Sequence, residues 1–240
     1  MHKVAIPEHI LRGVIRRRGR LNPFDSLIGP STALLVVDLQ NAFMRPGMVV
    51  EIATARKIVP NVNRIADAVR DAGGTVVFLQ MTLDEADKTN WSVYYEHFTH
   101  PDHRADEIAS MTRGHPGHTL YAELDVRPVD LIIEKRRFSA FIQGSSDLDA
   151  TLKARNIDTV IVTGAVTNVC CEATARDAMM LNYKTVFVSD ANAARTDEDH
   201  NASLAALIRV FAAVHSTDEV IALLRHKIQV QQQERAVVIS

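Results

Sequence analysis

An aspartate, a lysine and a cysteine each closely follow a short apolar run of the chain: Asp38, Lys135 and Cys170. A cysteine thiolate is a strong nucleophile, a nearby ammonium stabilises it, and a carboxylate can take and return the thiol proton. If the three side chains meet, they predict covalent catalysis by a thiolate. Taken singly, each residue also has a plain structural role, as a turn-capping carboxylate, a solvated lysine or a small buried hydrophobic cysteine.

Five apolar runs predict the strands that would bring these residues together. The runs are short, rich in β-branched residues and non-alternating, which is typical of strands buried on both faces of a parallel sheet. They are Thr32–Val37, Thr75–Leu79, Asp130–Ile133, Thr159–Val162 and Thr185–Val188. Because ligands bind beyond the carboxyl ends of such strands, we expect the three residues on one rim of one sheet.

Amphipathic periodicity predicts helices between the strands. Ile58, Val62, Ile65 and Val69 share one helix face, and Gly73-Gly74 ends that helix. Two further stripes comprise Leu204, Leu207, Ile208 and Phe211, preceded by the capping pair Thr196 and Asp199, and then Val220, Ile221, Leu223 and Leu224. Strands that alternate with helices predict an α/β sandwich.

The composition predicts a soluble globular domain. Hydrophobic residues make up 47% and charged residues 23% of the 240 residues, which is ordinary globular usage. The net charge of −2 offers no support for a nucleic-acid partner. No apolar run approaches the ~20 residues that span a bilayer, so we expect no membrane partner. The two cysteines are neighbours and cannot join distant segments, so we expect no disulfide framework and a cytoplasmic location.

Two segments depart from the regular pattern. The basic N-terminal extension (1–30) is expected to pack on the domain or on another subunit, with a nucleic-acid or membrane arm as the alternative. The segment 82–127, which we call the lid segment, is too long for a simple crossover and predicts a lid or binding loop. It also holds five histidines, His97, His100, His103, His115 and His118, for which a metal cluster is an alternative interpretation.

The run Asn168–Leu181 predicts a helix that begins close to Cys170. The positive potential of a helix N-terminus lowers the pKa of a cysteine and favours its thiolate. Backbone N–H groups of the same turn can hold an oxyanion. We therefore expect an activated nucleophile at this turn.

Three segments resemble the motifs of the isochorismatase-like cysteine hydrolases. Leu34–Phe43 resembles the opening motif, Lys135–Phe141 the lysine segment and Val162–Ala178 the nucleophile segment of that family. The resemblance covers about 31–224 with the motifs in the correct order. It implies a Rossmann-like three-layer α/β/α sandwich with a six-stranded parallel sheet, usually assembled as an oligomer. The hydrolase domain would span 31–227, followed by a C-terminal tail (228–240), in a homo-oligomer, dimer or tetramer.

The same resemblance implies roles for individual residues. Asp38, Lys135 and Cys170 would form a catalytic triad, and a cis peptide bond would join Ala165 and Val166. The backbone N–H groups of Val166 and Cys170 would form the oxyanion hole. Cys171 lies one residue further along the helix, about 100° around its axis, and is expected to face the packing side.

The resemblance also narrows the chemistry. True isochorismatases lack the cysteine nucleophile, and nicotinamidases commonly carry an Asp-x-His metal element where this chain has Gln80–Ala86. The segment Thr167–Cys170 is most similar to the ureidoacrylate and N-carbamoyl amidohydrolases. We therefore predict a cofactor- and metal-independent amidohydrolase that cleaves a C–N bond of a small ureido, carbamoyl or amide compound through an acyl- or carbamoyl-enzyme. The alternatives are a nicotinamidase- or isochorismatase-type hydrolase and a catalytically silent binding subunit.

Substrate contacts are predicted near these motifs and in the lid segment. Arg137 could pair with a substrate carboxylate through two parallel hydrogen bonds, or form a surface salt bridge instead. The full set of expected contacts is Asn41, Phe43, Trp91, Tyr94, Tyr95, Arg137 and Phe138.

Overall fold

A computed structural model describes residues 1–224 of the chain, and these residues form one parallel sheet. Its six strands are β1 (Thr32–Val37), β2 (Thr75–Met81), β3 (Leu131–Lys135), β4 (Thr159–Ala165), β5 (Lys184–Ala193) and β6 (Ala213–His215). They lie in the order β3-β2-β1-β4-β5-β6. The order reverses between β1 and β4, which is the place where open α/β sheets bind ligands.

Helices cover both faces of the sheet. Over the described range they are α1 (Glu8–Arg18), α2 (Asn41–Met44), α3 (Val59–Asp71), α4 (Asp87–Asn90), α5 (Ser92–His97), α6 (Arg104–Ser110), α7 (Leu148–Ala154), α8 (Glu172–Met180), α9 (Asp197–Val210) and α10 (217–224). On one face, Leu34 of β1 packs in a core with Ile65 of α3. On the other face, Leu35 packs in a core with Ala175 of α8 and Leu204 of α9. The predicted three-layer sandwich is therefore confirmed.

The central strand β1 is buried along its whole length, as its unbroken apolar run predicts. It pairs with β4 in a register that places Val37 opposite Gly164. Gly164 has φ 122°, and a Cβ atom added there would lie 2.2 Å from the Val37 carbonyl oxygen. Only glycine lets the two backbones approach so closely while adopting this conformation.

The predicted strands and helices are present, with differences at their ends. All five predicted strands form, and β5 continues to Ala193, five residues beyond its predicted end. The Thr196 side chain accepts a hydrogen bond from the Asp199 N–H at the start of α9, so the predicted cap is confirmed. The helix predicted from Asn168 instead starts as a π-helical turn (Thr167–Cys171), and α8 begins only after it.

The N-terminal extension packs on the domain, as expected. Its helix α1 buries Ile10 and Val14 against Ile208 of α9. The predicted C-terminal tail (228–240) lies outside the described residues. No helix between residues 1 and 224 has the length and apolar character needed to cross a membrane.

Candidate active site

Asp38 is the first residue after β1 and is fully buried. Its φ is 51°, a left-handed conformation that is uncommon for a residue with a side chain and is often found at functional sites. Its N–H donates to the Leu79 carbonyl at 3.0 Å, which fixes this backbone turn to β2. The carboxylate is therefore positioned by the sheet itself.

Lys135 is the last residue of β3 and is also fully buried. Its Nζ lies 2.8 Å from Asp38 Oδ2 and donates to the Arg137 carbonyl at 3.0 Å. β2 separates β1 from β3 in the sheet, so the long lysine side chain reaches across one strand to the aspartate. A buried charge needs such a partner, since leaving it unpaired costs several kcal/mol.

Cys170 lies in the π-helical turn after β4, only 2% exposed, and lines a cavity. Its thiol interacts with the Asp38 carboxylate, yet neither carboxylate oxygen has a well-aligned hydrogen-bond donor. Catalytic hydrogen bonds are often loose in the free enzyme and tighten when substrate binds. The carboxylate thus retains the capacity to accept a proton from the thiol.

Burial is the largest single influence on the pKa of each of the three side chains. It raises the pKa of Asp38, against the opposing effect of the Lys135 ammonium. Burial alone would lower the pKa of Lys135, but the negative charges of Asp38 and Cys170 reverse this and raise it. Burial also raises the pKa of Cys170 to about 12, although Lys135 and the Val166 N–H favour the thiolate. The predicted lowering of the cysteine pKa by a helix N-terminus is therefore wrong in direction, because desolvation of the thiolate outweighs these effects.

Backbone hydrogen bonds close the turn that carries Cys170. The Ala165–Val166 peptide bond is cis, at the position the family resemblance implied. The Val166 carbonyl accepts a hydrogen bond from the Cys171 N–H at 3.2 Å. Cys171 itself is fully buried in the core, consistent with its predicted packing role.

A cavity of about 330 Å³ lies over Cys170. Five of the predicted substrate contacts line it: Phe43, Trp91, Tyr94, Tyr95 and Phe138. The Trp91 ring stacks on Tyr94 with centroids 4.6 Å apart and meets Phe138 edge-on at 4.8 Å. The lid segment therefore supplies an aromatic wall to the cavity.

Two predicted contacts, Asn41 and Arg137, are not among the residues that line the cavity. The Asn41 amide donates to the Pro116 carbonyl and to Thr119, so it fastens the lid segment. The Arg137 guanidinium lies 4.9 Å from the centre of the Trp91 ring and donates to the Asn90 carbonyl. Both side chains are engaged in holding the lid segment, and their role as substrate contacts stays a prediction.

Three charged residues that line the cavity were missed: Glu107, Arg195 and Asp199. The Glu107 carboxylate accepts a hydrogen bond from the Tyr94 hydroxyl at 2.8 Å, and burial raises its pKa. Arg195 follows β5 at the same rim of the sheet as the triad. The rule that ligands bind beyond strand ends could have found Arg195, had the full length of β5 been recognised.

The histidines of the lid segment do not assemble into a metal site. Across residues 1–224, no three side chains of histidine, cysteine, aspartate or glutamate form a group suited to a metal ion. Asp84 and Asp87 lie near the place where nicotinamidases carry their metal element, and both carboxylates pair with Arg136 at 2.9 and 2.8 Å. A donor set already neutralised by arginine does not fit a cation.

The chain belongs to the isochorismatase family, because the family model described as "Isochorismatase domain" matches residues 32–219. It is therefore an isochorismatase-family hydrolase. The ureidoacrylate amidohydrolase RutB of Variovorax paradoxus (strain S110) is 36% identical over 180 residues, which cover 69% of this chain and 70% of that protein.

Solved structures show the same fold. A cysteine hydrolase from Pseudomonas syringae pv. phaseolicola 1448A has a TM-score of 0.72 and 30% identity, covering 84% of this chain and 95% of that chain. An N-carbamoylsarcosine amidase from Thermoplasma acidophilum has a TM-score of 0.62 and 28% identity, with coverages of 78% and 97%. A pyrazinamidase/nicotinamidase from Streptococcus mutans UA159 has a TM-score of 0.65 and 27% identity, with coverages of 77% and 99%. Relatives of this chain thus include amidohydrolases.

Proposed function

We propose that the protein is a cysteine amidohydrolase that cleaves a C–N bond of a small ureido or carbamoyl acid without a metal ion. The observation that carries this proposal is the arrangement around Cys170. Cys170 lines the cavity, while the paired Asp38 and Lys135 side chains are fully buried and are not among the residues that line it. A nucleophile exposed to substrate, with a base and a compensating cation kept away from water, suits acyl transfer.

The first half of the reaction forms a covalent intermediate. Asp38 accepts the thiol proton as the Cys170 sulfur attacks the substrate carbonyl carbon and forms a C–S bond. The carbonyl oxygen becomes an oxyanion, which the N–H groups of Val166 and Cys170 stabilise. When the C–N bond breaks, the leaving ammonia or amine takes the proton from Asp38. The product of this half is an acyl- or carbamoyl-enzyme.

The second half uses the same base. Asp38, ionised again, accepts a proton from a water molecule that attacks the thioester carbonyl. The C–S bond then breaks, the sulfur recovers the proton, and the carboxylic or carbamic acid leaves. The Lys135 ammonium remains charged throughout and balances whichever neighbour, carboxylate or thiolate, carries the negative charge.

The cavity favours a substrate that is planar and carries an acid group. Its walls are mainly aromatic and aliphatic, which suits a planar ureido or amide group. Among the lining residues within 1–224, Arg195 is the only one with a permanent positive charge. We therefore assign Arg195, rather than Arg137, to the substrate carboxylate. The relatives named for ureidoacrylate and N-carbamoylsarcosine act on compounds that combine these two groups.

Measuring the ammonia released from a small panel of candidate substrates tests the proposal. The panel comprises ureidoacrylate, an N-carbamoyl amino acid, biuret and nicotinamide. We expect the ureido or carbamoyl acids to give the highest kcat/KM, and Cys170→Ala to give no turnover. Mass spectrometry of the quenched enzyme should show an adduct on Cys170. A lead of tenfold or more for nicotinamide, about 1.4 kcal/mol in transition-state free energy, would replace the ureido assignment with a nicotinamidase-type one.

We further infer a homo-oligomer, a dimer or tetramer, located in the cytoplasm. Val129 and Ile132, at the outer strand β3, are 78% and 53% exposed, which favours a self-association surface there. The two neighbouring free cysteines are typical of a reducing compartment. Sedimentation velocity of the wild-type chain and of Ile132→Glu tests the first inference. A wild-type chain that sediments as a monomer would contradict the inferred oligomer.

A further inference from the structure

The second residue of the chain is anchored deep in the domain. The His2 side chain is only 3% exposed, and its Nδ1 lies 2.7 Å from Asp197 Oδ1. Its Nε2 accepts a hydrogen bond from the Ala194 N–H at 3.0 Å. Because Nε2 accepts, Nδ1 carries the proton and donates to Asp197. Both ring nitrogens are therefore used in fixing the start of α9.

The His2 ring also covers a second buried histidine. The two rings, His2 and His200, stack with centroids 4.5 Å apart and an interplanar angle of 18°. His200 Nε2 lies 2.9 Å from the Ser189 carbonyl oxygen, and Nδ1 lies 2.9 Å from Thr167 Oγ1. A carbonyl oxygen can only accept, so Nε2 carries the proton and Nδ1 accepts from the Thr167 hydroxyl. Burial lowers the pKa of His200 to about 4, which keeps the ring in this neutral form near pH 7.

These contacts reach two parts of the candidate active site. Thr167 is the first residue of the π-helical turn that carries Cys170. Ala194 and Asp197 flank the part of the cavity wall that contains Arg195. One side chain thus contacts the wall directly and reaches the nucleophile turn through His200.

The residues next to His2 hold it in place. The Asn201 side chain of α9 donates to the Lys3 carbonyl at 2.9 Å and accepts from the Ala5 N–H at 2.7 Å. Residues 1–6, which we call the N-terminal strap, therefore lie across the start of α9. Ile6 packs at the end of the strap against the cores that include Ile10 and Leu204.

We propose that His2 is a positioning residue that holds the Cys170 turn and the Arg195 wall in their reactive arrangement. This inference rests on the proposed function, because it assumes that Cys170 is the nucleophile. His2 touches no reacting atom and acts through His200 and Ala194. Displacing a catalytic group by about 1 Å can lower a rate a hundredfold, so a remote brace of this kind has a measurable effect on catalysis.

The test compares His2→Ala with His9→Ala, a change of an exposed histidine in the same extension. The first readout is the rate of Cys170 alkylation by iodoacetamide, and the second is kcat and KM for the best panel substrate. We expect His2→Ala to lower the alkylation rate and kcat each by about tenfold, within the range for a misplaced catalytic group. His9→Ala should match the wild type in both. His2→Phe keeps a stacking ring without the hydrogen bonds and should recover part of the loss.

Each outcome has one meaning. If Cys170→Ala keeps turnover, Cys170 is not the nucleophile, so the proposed function fails and the positioning role fails with it. If wild-type Cys170 is reactive but His2→Ala reacts and turns over at the wild-type rate, only the positioning role is wrong. If His2→Ala unfolds, the comparison of His2→Phe with wild type decides, and equal kcat and KM would overturn the proposal.

Discussion

The proposed triad of Asp38, Lys135 and Cys170 and the lid segment are held in different ways. Asp38 and Lys135 are placed by the ends of β1 and β3 and are fully buried. The later part of the lid segment is fixed by backbone hydrogen bonds, such as those from Asn41 and Ala42 to the carbonyls of Thr119 and Gly117. Its aromatic part is instead held by side-chain contacts, such as that of Arg137 on Trp91. Strands of a central sheet leave little freedom to the groups at their ends, whereas side-chain contacts can loosen one at a time. Changes in the triad should therefore act on kcat, and changes in the lid segment on KM.

The largest effect is expected from the triad. Asp38→Asn, Lys135→Ala and Cys170→Ala should each lower kcat by at least about 10³-fold, since members of such a unit fail together. Circular dichroism should remain that of the wild type, because the partner left behind in the buried pair can become neutral. The Asp38 carboxylate, whose pKa is already raised, can take up a proton when Lys135 is lost, and burial favours the neutral form of Lys135 when Asp38 is lost. Lys153→Ala, which removes an exposed lysine paired with Asp149, is the control. A triad variant that keeps most of its kcat would show that the substituted residue is not needed for catalysis.

The pH profile sharpens the role of Asp38. The carboxylate must be ionised to accept the thiol proton, so kcat/KM falls as the pH drops through its pKa. Because burial raises that pKa, the acid limb should lie above pH ~4, the range of an ordinary aspartate. Below the limb the rate should fall about tenfold per pH unit. A profile that stays flat down to pH ~4 would show that Asp38 is not the base.

The next largest effect is expected at the cavity wall. Arg195→Ala should raise KM for an acid substrate by about 10–100-fold, the equivalent of about 1.5–3 kcal/mol for hydrogen bonds to a charged group. An uncharged substrate, biuret, should be affected much less. Arg155→Ala, at an exposed arginine after α7, is the control. An equal rise of KM for acid and uncharged substrates would show that Arg195 does not bind the substrate carboxylate.

A smaller effect is expected from the fastening of the lid segment. Arg137→Ala removes a cation–π contact with Trp91 that is worth about 0.5–1 kcal/mol when partly exposed. KM should therefore rise about two- to fivefold while kcat stays near the wild-type value. Steady-state kinetics with the best panel substrate measure both constants. A collapse of kcat would mean that the lid segment, too, positions reacting groups.

The smallest effect is expected at Cys171. It is buried in the core and does not line the cavity, so Cys171→Ala should keep most of the wild-type kcat. Peptide mapping after substoichiometric iodoacetamide should find the label on Cys170. Preferential labelling of Cys171 would reverse the assignment of the nucleophile.

Local sequence patterns predicted the sheet well. Runs such as Thr32–Val37 are buried over their full length, and such strands have an apolar signature that needs no knowledge of distant residues. The strand β6 has only three residues, and its pairing with β5 is a tertiary interaction that no local pattern shows. The π-helical turn at Thr167–Cys171 was missed for a similar reason, since helix periodicity does not distinguish it from an ordinary first turn.

Local sequence patterns likewise predicted one part of the candidate site and not the other. Asp38, Lys135 and Cys170 could be assigned to one rim because each follows a strand. The role of Arg137 could not, because it depends on where Trp91 of the lid segment comes to lie. The sequence also could not predict that the pKa of Cys170 is raised, because the burial that raises it depends on the whole fold.

Gly164 sets the spacing between the strands that lead to Asp38 and Cys170, the proposed base and nucleophile. Its partner across the sheet is Val37, the residue before Asp38, and it lies six residues before Cys170 in the same β4-to-turn connection. A single methyl group at this position would push against the Val37 backbone and force the two strands apart at their catalytic ends. Gly164→Ala would therefore separate proton acceptor from thiol while leaving every reacting atom chemically intact. The separation of the proposed proton acceptor from the thiol thus depends on the absence of a side chain at Gly164.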